Sequence, residues 1–292
     1  MEKIKENIYV ETEYLGCNPS FIVTSNGVVM IDVPGQKPFE ALEWKKEIAK
    51  HGDVVYIINT DHHIDHCVGN YFFGGDIIVH EGTMKKLFAE DRIKALKTFL
   101  KMIGPPSQFL VEIMEMGLYY IKKPKFTYND KINIYLGEEI FELIPMRGHT
   151  EAETIVYMPR QKVLFAGDNI CTSGIPNLSE SCPLEWLEAL KAMEDMDVDV
   201  VVPGHGKIGN RNSIKQFRIE LTLLINQVKE KGIKVWVGKM SFEKCVMKIP
   251  SMLIIPRHFL GGLIITSKTV SAEYMIRWER NRDRGNRSSL GS

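Results

Sequence analysis

The segment Asn59-Thr60-Asp61-His62-His63-Ile64-Asp65-His66 carries the densest set of reactive side chains in the chain. Positions 61 to 66 hold two aspartates and three of the chain's eight histidines. Carboxylates and imidazoles are oxygen and nitrogen donors that hold cations such as zinc, manganese or iron. The set directly follows Val54-Val55-Tyr56-Ile57-Ile58, an apolar, largely β-branched run that reads as a buried strand. In an extended segment alternate side chains share a side. Asp61, His63 and Asp65 are therefore expected to point one way, and His62 and Ile64 the other. His66, at the turn, swings back toward the first set, so that one loop supplies ligands to two neighbouring metal ions. A solvated polar turn is the bland alternative, and it leaves so many histidines in one place unexplained.

Three further loops repeat the pattern of reactive residues just after a strand. Arg147-Gly148-His149-Thr150 follows the run Glu139 to Ile144, Gly167-Asp168 follows Val163 to Ala166, and Gly204-His205-Gly206 follows Val198 to Val202. Functional groups gather outside strand ends in α/β sheets. A glycine beside each lets the backbone turn sharply or approach a bound group. Taken singly, His149 or His205 reads as a hydrogen-bonded structural histidine. Taken in order after the Asp/His cluster, they read as ligands. Cys67, Cys171, His80 and His258 are weaker candidates near the site, better explained as packed side chains or outer-layer partners.

The elements that must position these loops follow from periodicity. Short strands are expected at 8–10, 20–23 and 28–32, the last two flanking the turn Ser25-Asn26-Gly27. A helix is expected over 36–51, ended by Gly52, and a strand at 77–79 ends at His80. Residues 83–121 read as two helices broken at Gly104-Pro105-Pro106, with a Met and aromatic content that suits a lid or ordinary helix packing. Strands return at 125–128, 132–135, 139–144, 154–158, 163–166 and 198–202. Helices are expected at 183–196 and 213–231. The remainder mixes apolar runs at 233–280 with an Arg/Gly/Ser-rich tail at 281–292 that reads as disordered.

Composition narrows the function classes. The 292 residues are 44% hydrophobic and 25% charged, which is globular, with 37 basic against 37 acidic side chains. That balance argues against a nucleic-acid footprint. The charged start does not read as a secretory signal, and the apolar stretch 252–265 is too short to span a bilayer. Five scattered cysteines without a CxxC pair fit free thiols in the cytoplasm. The expected partner is a small-molecule substrate, with a homodimer left open and neither nucleic acid nor membrane.

The motifs resemble the metallo-β-lactamase fold superfamily, whose HxHxDH loop is followed by a His in GHT, an Asp in GD and a last His in GHG. This sequence reads Asp61-His62-His63-Ile64-Asp65-His66, Gly148-His149-Thr150, Gly167-Asp168 and Gly204-His205-Gly206. The flanks Lys162-Val163-Leu164-Phe165-Ala166-Gly167-Asp168 and Asp199-Val200-Val201-Val202-Pro203-Gly204-His205-Gly206 are similar to the glyoxalase II-like branch. The resemblance spans residues 5–230. It implies an α/β fold, an αββα sandwich, over residues 1–232, with a helical insertion at 83–121 and a C-terminal extension at 233–280 packing on it.

The resemblance also implies two divalent metal ions, zinc first with manganese or iron as alternatives. One would take Asp61, His63 and His149, the other Asp65, His66 and His205, with Asp168 bridging. A bridging water of lowered pKa would cleave an ester, thioester, lactone, lactam or phosphoester, and Asp65 would serve as the catalytic residue that orients the nucleophile and shuttles its proton. The substrate-binding residues are not implied. The sequence departs from the family at Asp61, where the family has His. A carboxylate favours harder metals, and His62 is the rival ligand. Asp168 and His205 are separated by 36 residues, too few for the large domain that nucleases of this superfamily insert there. Two other readings are an iron-bearing, oxygen-reactive redox protein of the same fold and a phosphoesterase of the DHH type, suggested by Asp61-His62-His63.

Overall fold

The computed structural model describes residues 1–35, 37–89, 122–173, 178 and 180–230. Twelve strands form two sheets among these residues. The first sheet holds seven strands in sequential order: β1 (Glu2–Lys5), β2 (Ile8–Val10), β3 (Ser20–Thr24), β4 (Gly27–Ile31), β5 (Val54–Ile58), β6 (Asp76–His80) and β7 (Phe126–Tyr128). Strands β4 to β7 are parallel, and Ile58 pairs with Ile31 on one side and Ile78 on the other. The second sheet has the order β12-β11-β10-β9-β8, built from β8 (Ile132–Leu136), β9 (Glu139–Pro145), β10 (Thr154–Met158), β11 (Val163–Phe165) and β12 (Val200–Val202). Its strands β11 and β12 are parallel, and β9 runs antiparallel to β10, which runs antiparallel to β11.

Layering follows from alternation within the strands. Ile31, Ile58 and Ile78 of the first sheet meet Leu143, Val156, Phe165 and Val202 of the second in a core between the sheets. Their neighbours Met30, Ile57 and Ile77 face outward, where α1 (Pro38–Ile48) covers them with Ala41, Trp44 and Ile48. On the far side α4 (Pro183–Glu194) and α5 (Arg211–Glu230) pack Trp186, Leu190, Phe217 and Leu221 against Ile155, Leu164 and Val201. The result is helix, sheet, sheet, helix, the expected αββα sandwich. Strands covered on both faces read as unbroken apolar runs, which is why 54–58 and 77–79 stand out in the sequence.

One local expectation is corrected, and one strand is added. Residues 61–66 are not one extended segment, because α2 (Ile64–Cys67) begins at Ile64 with His63 at its cap and a 3-10 turn follows over Val68–Phe72. Asp65 and His66 are thus delivered by a helical turn. The charged start also forms a strand: β1 pairs with β2, from Glu2 opposite Val10 to Lys5 opposite Ile8. It lies at a sheet edge, where charged side chains remain in water.

The helix α3 (Glu81–Leu87) opens the expected insertion. The rest of that helical expectation, residues 90–121, and the expected extension and tail at 233–292 lie outside the described residues. Among the described residues no helix is long and apolar enough to cross a membrane.

Candidate metal centre

The four reactive loops leave the same end of the two sheets. Asp61 follows β5, His149 follows β9, Asp168 follows β11 in a 3-10 turn over Gly167–Asn169, and His205 follows β12. Backbone bonds tie the loops across the sandwich: Thr154 N–H donates to the Thr60 carbonyl at 2.9 Å, and Asn18 N–H to the Gly204 carbonyl at 2.7 Å. Two glycines permit the close approach. Gly167 has φ +54, and a Cβ there would meet Glu153 Oε1. A Cβ on Gly204 would meet Asp168 Oδ1.

The seven expected residues converge. Asp61, His63 and His149 form one group whose donor atoms lie within 4.8 Å of one another, and Asp65, His66 and His205 form another. In the first, His149 Nε2 stands 3.2 Å from His63 Nδ1 and 4.0 Å from Asp61 Oδ2, and Asp61 Oδ2 contacts His63 Nδ1 directly. In the second, His205 Nε2 is 3.2 Å and His66 Nε2 3.8 Å from Asp65 Oδ2.

Asp168 joins the groups. Its Oδ2 lies 3.3 Å from His149 Nε2, and its Oδ1 lies 3.2 Å from both His66 Nε2 and His205 Nε2. His62 is not a member of the first group; its Nε2 lies 3.2 Å from Glu180 Oε2. The alternation argument brings Asp61 and His63 together as expected, but it does not part His62 from His63, whose rings lie 4.7 Å apart, and it fails where α2 begins. The Cys171 and Cys67 thiols donate to the backbone carbonyls of Ser173 and His63. His80 caps α3 by accepting from Gly82 N–H. His258 lies outside the described residues.

Several side chains that sequence reading passed over orient the centre. Asp32, at the end of β4, accepts from the Thr60 N–H at 2.8 Å and the Thr60 hydroxyl at 2.7 Å, and its Oδ2 lies 2.9 Å from His66 Nδ1. It adopts a left-handed backbone, φ 53, uncommon outside glycine but tolerated by aspartate. The Gly16 carbonyl is 2.8 Å from His205 Nδ1. Asn169 Oδ1 accepts from the His149 N–H, and the Asn169 carbonyl accepts from the Trp186 indole, each at 2.9 Å. Glu153, fully buried, accepts from Asp168 N–H and the Thr150 hydroxyl, each at 3.1 Å. The signal for Asp32 was present, since it too follows a strand.

The electrostatics are those of carboxylates waiting on positive charge. Burial opposes ionisation of Asp168, but His205, His66 and His149 hold its carboxyl well below the usual range. Asp61 and Asp65 are likewise depressed against their burial, chiefly by His63 and His66 respectively. Burial pulls the imidazoles down, yet Asp61 raises His63 to about 9, and Asp168 lifts His66 and His205 well above the ordinary histidine value. At His149 burial wins and the pKa falls. Burial, with Asp61 and Asp168 nearby, pushes Glu153 well up.

A cation would do what those protons do. His66 Nε2 and Asp168 Oδ1 are buried, face each other at 3.2 Å and lack hydrogen-bond partners among the described residues. Buried polar atoms rarely stay unpartnered without an ion or water. Four imidazoles and three carboxylates are a donor set that fits zinc and neighbouring divalent metals.

Comparison with known proteins agrees with the geometry. The family model described as "Metallo-beta-lactamase superfamily" matches residues 13–205. A "Metallo-beta-lactamase type 2" of Elizabethkingia meningoseptica is 26% identical over 233 residues, covering 74% of this chain and 82% of that protein. A protein of the same description from Bacillus cereus is 24% identical over 224 residues, covering 72% and 78%. The solved structure of a metallo-beta-lactamase from Pontibacter korlensis superposes with a TM-score of 0.58 at 23% identity, covering 77% of this chain and 98% of that one. A metallo-beta-lactamase family protein from Thermus thermophilus gives a TM-score of 0.60 at 18% identity, covering 78% and 82%. These two structures share the fold. The family match spans well over half of the chain and includes all seven convergent residues, so the chain belongs to the metallo-beta-lactamase superfamily of metallo-hydrolases.

Proposed function

We propose that this chain hydrolyses a small ester, thioester, lactone, lactam or phosphoester at a centre of two divalent metal ions. The observation that supports this best is Asp168, which presents one oxygen to each of two three-residue donor groups. Asp61, His63 and His149 would hold one ion and Asp65, His66 and His205 the other. Zinc suits the nitrogen-rich set, and the oxygen donor at Asp61 also admits manganese or iron. When bound, such a pair would lower the pKa of a water toward neutrality and polarise the carbonyl or phosphoryl oxygen of the substrate, making its carbon or phosphorus open to attack.

The chain's own residues do the rest. Asp32 holds the proton of His66 on Nδ1, and the Gly16 carbonyl holds that of His205, so both imidazoles present the Nε2 lone pair inward. Asn169 fixes the backbone of His149. Asp65 orients the attacking water, takes its proton and passes it to the leaving group. Glu153 holds the backbone of Asp168 so that its two oxygens stay divided between the donor groups.

Substrate preference would come from residues 83–121 and 233–280, whose Met, aromatic and branched side chains suit pocket walls. A small-molecule substrate and a cytoplasmic setting are part of the proposal, the latter supported by the four cysteines among the described residues, none of which is in a disulfide. The relatives' names put a β-lactam on the test panel, and the glyoxalase II-like motifs add thioesters. Metal-loaded and chelator-stripped protein should be assayed against thioesters, lactones, β-lactams and phosphodiesters. Turnover of one class, lost on stripping and restored by metal, is expected. Equal rates in both forms would overturn the reading.

A further inference from the structure

Outside the proposed centre stands a second donor group that reuses one of its members. His62, His63 and Glu180 offer donor atoms within 4.8 Å of one another. His62 Nε2 is 3.2 Å from Glu180 Oε2, and the His62 and His63 rings lie 4.7 Å apart, tilted by 32°. All three residues are half-buried, whereas Asp61 and His149 are buried. The group therefore lies on the solvent side of the inner donors. His62 Nδ1 is buried and has no hydrogen-bond partner among the described residues.

We propose that His62, His63 and Glu180 form an outer cation site through which a divalent metal ion is loaded onto the inner group Asp61, His63 and His149. This rests on the metal centre proposed above. Two imidazoles and one carboxylate are a sufficient donor set for zinc or its neighbours, leaving positions for water. The sharing of His63 sets the order of events. With the inner group empty, only the contacts of His63 Nδ1 with Asp61 and His149 compete with its completing the outer one. Once the ion moves inward His63 goes with it, and the outer group keeps only His62 and Glu180. The outer site is thus strong in the metal-free protein and weak in the loaded one.

Lys86 opposes the outer site. Its ammonium lies 3.0 Å from the same Glu180 oxygen that faces His62. An arriving cation must displace it, and the ammonium then returns as the ion leaves. No bond is made or broken in a redox sense; a dication exchanges water for imidazole and carboxylate donors, and any proton displaced from a ring goes to solvent.

The test uses the full chain stripped of metal and mixed rapidly with cobalt(II), followed by visible absorption and, at equilibrium, by elemental analysis. His62→Ala and Glu180→Gln should slow loading by about tenfold, the scale on which nearby partners affect metal sites, with final metal content equal to that of the unaltered chain. Lys86→Met should speed loading. Unchanged rates in all three variants would overturn the proposal. So would a His62→Ala protein whose final metal content drops as far as that of Asp61→Ala, which would make His62 an inner ligand. A failure of the metal-centre reading looks different: the unaltered chain itself would hold no metal at equilibrium.

Discussion

Asp32 and His66, 34 residues apart, meet through a carboxylate oxygen and ring Nδ1 at 2.9 Å, both fully enclosed behind the centre. The contact joins the end of β4 to α2, beyond the neighbouring strand β5, and sets which nitrogen of His66 faces Asp168. Asp32→Asn keeps the size and tolerates the left-handed backbone, but removes the acceptor charge. It should lower metal affinity by about 10- to 100-fold with little change in fold. Metal titration against a chelator, with circular dichroism alongside, checks this, and unaltered affinity would remove Asp32 from the account.

Asp61 stands where the motif reading of the sequence expects a histidine. Its Oδ1 accepts from the His63 N–H at 2.9 Å while its Oδ2 faces the His63 and His149 rings. Asp61→Ala should empty or weaken the group with His63 and His149. Asp61→His should shift metal preference toward zinc and move the acidic limb of the pH–rate profile downward, because removing an anion makes a bound water more acidic. Metal competition and rate profiles of the two variants decide this, and identical behaviour of Asp61→His and the unaltered chain would refute it.

Much of this convergence was legible in the sequence because most of the donor residues lie just past strand ends, and buried parallel strands such as Val54–Ile58 announce themselves as apolar runs. The turn of helix that carries Asp65 and His66 was not, since four residues are too few to show a helical period. Glu153 carried no local signal, because its role depends on Asp168, which reaches it through the pairing of β10 with β11. Glu180 meets His62 across 118 residues of chain, a contact no local pattern can signal. The strand Glu2–Lys5 was hidden by its charge, which an edge position tolerates.

The ionisable groups give the metal-free protein a particular pH dependence. His63 is raised to about 9, and His66 and His205 are also raised, so their pairing with carboxylates stabilises the fold fully below the ordinary histidine pKa of about 6.5 and is lost as pH climbs through the raised values. Asp61, Asp65 and Asp168 are depressed, so their contribution is present above about pH 4 and lost as pH falls. A bound metal replaces the imidazolium protons and removes the alkaline loss. Between about pH 7 and about pH 10 the melting temperature of stripped protein should fall more than that of loaded protein. Parallel curves would contradict this.

The bridging position of Asp168 is the centre of the account, and the metal content of Asp168→Ala tests it most directly. The unaltered chain, reconstituted with zinc, should retain about two ions. Asp168→Ala should lose occupancy in both groups, falling below about one ion per chain, because one carboxylate serves His149 on one side and His66 and His205 on the other. A folded Asp168→Ala protein that keeps its full complement of metal would contradict the two-metal centre as drawn.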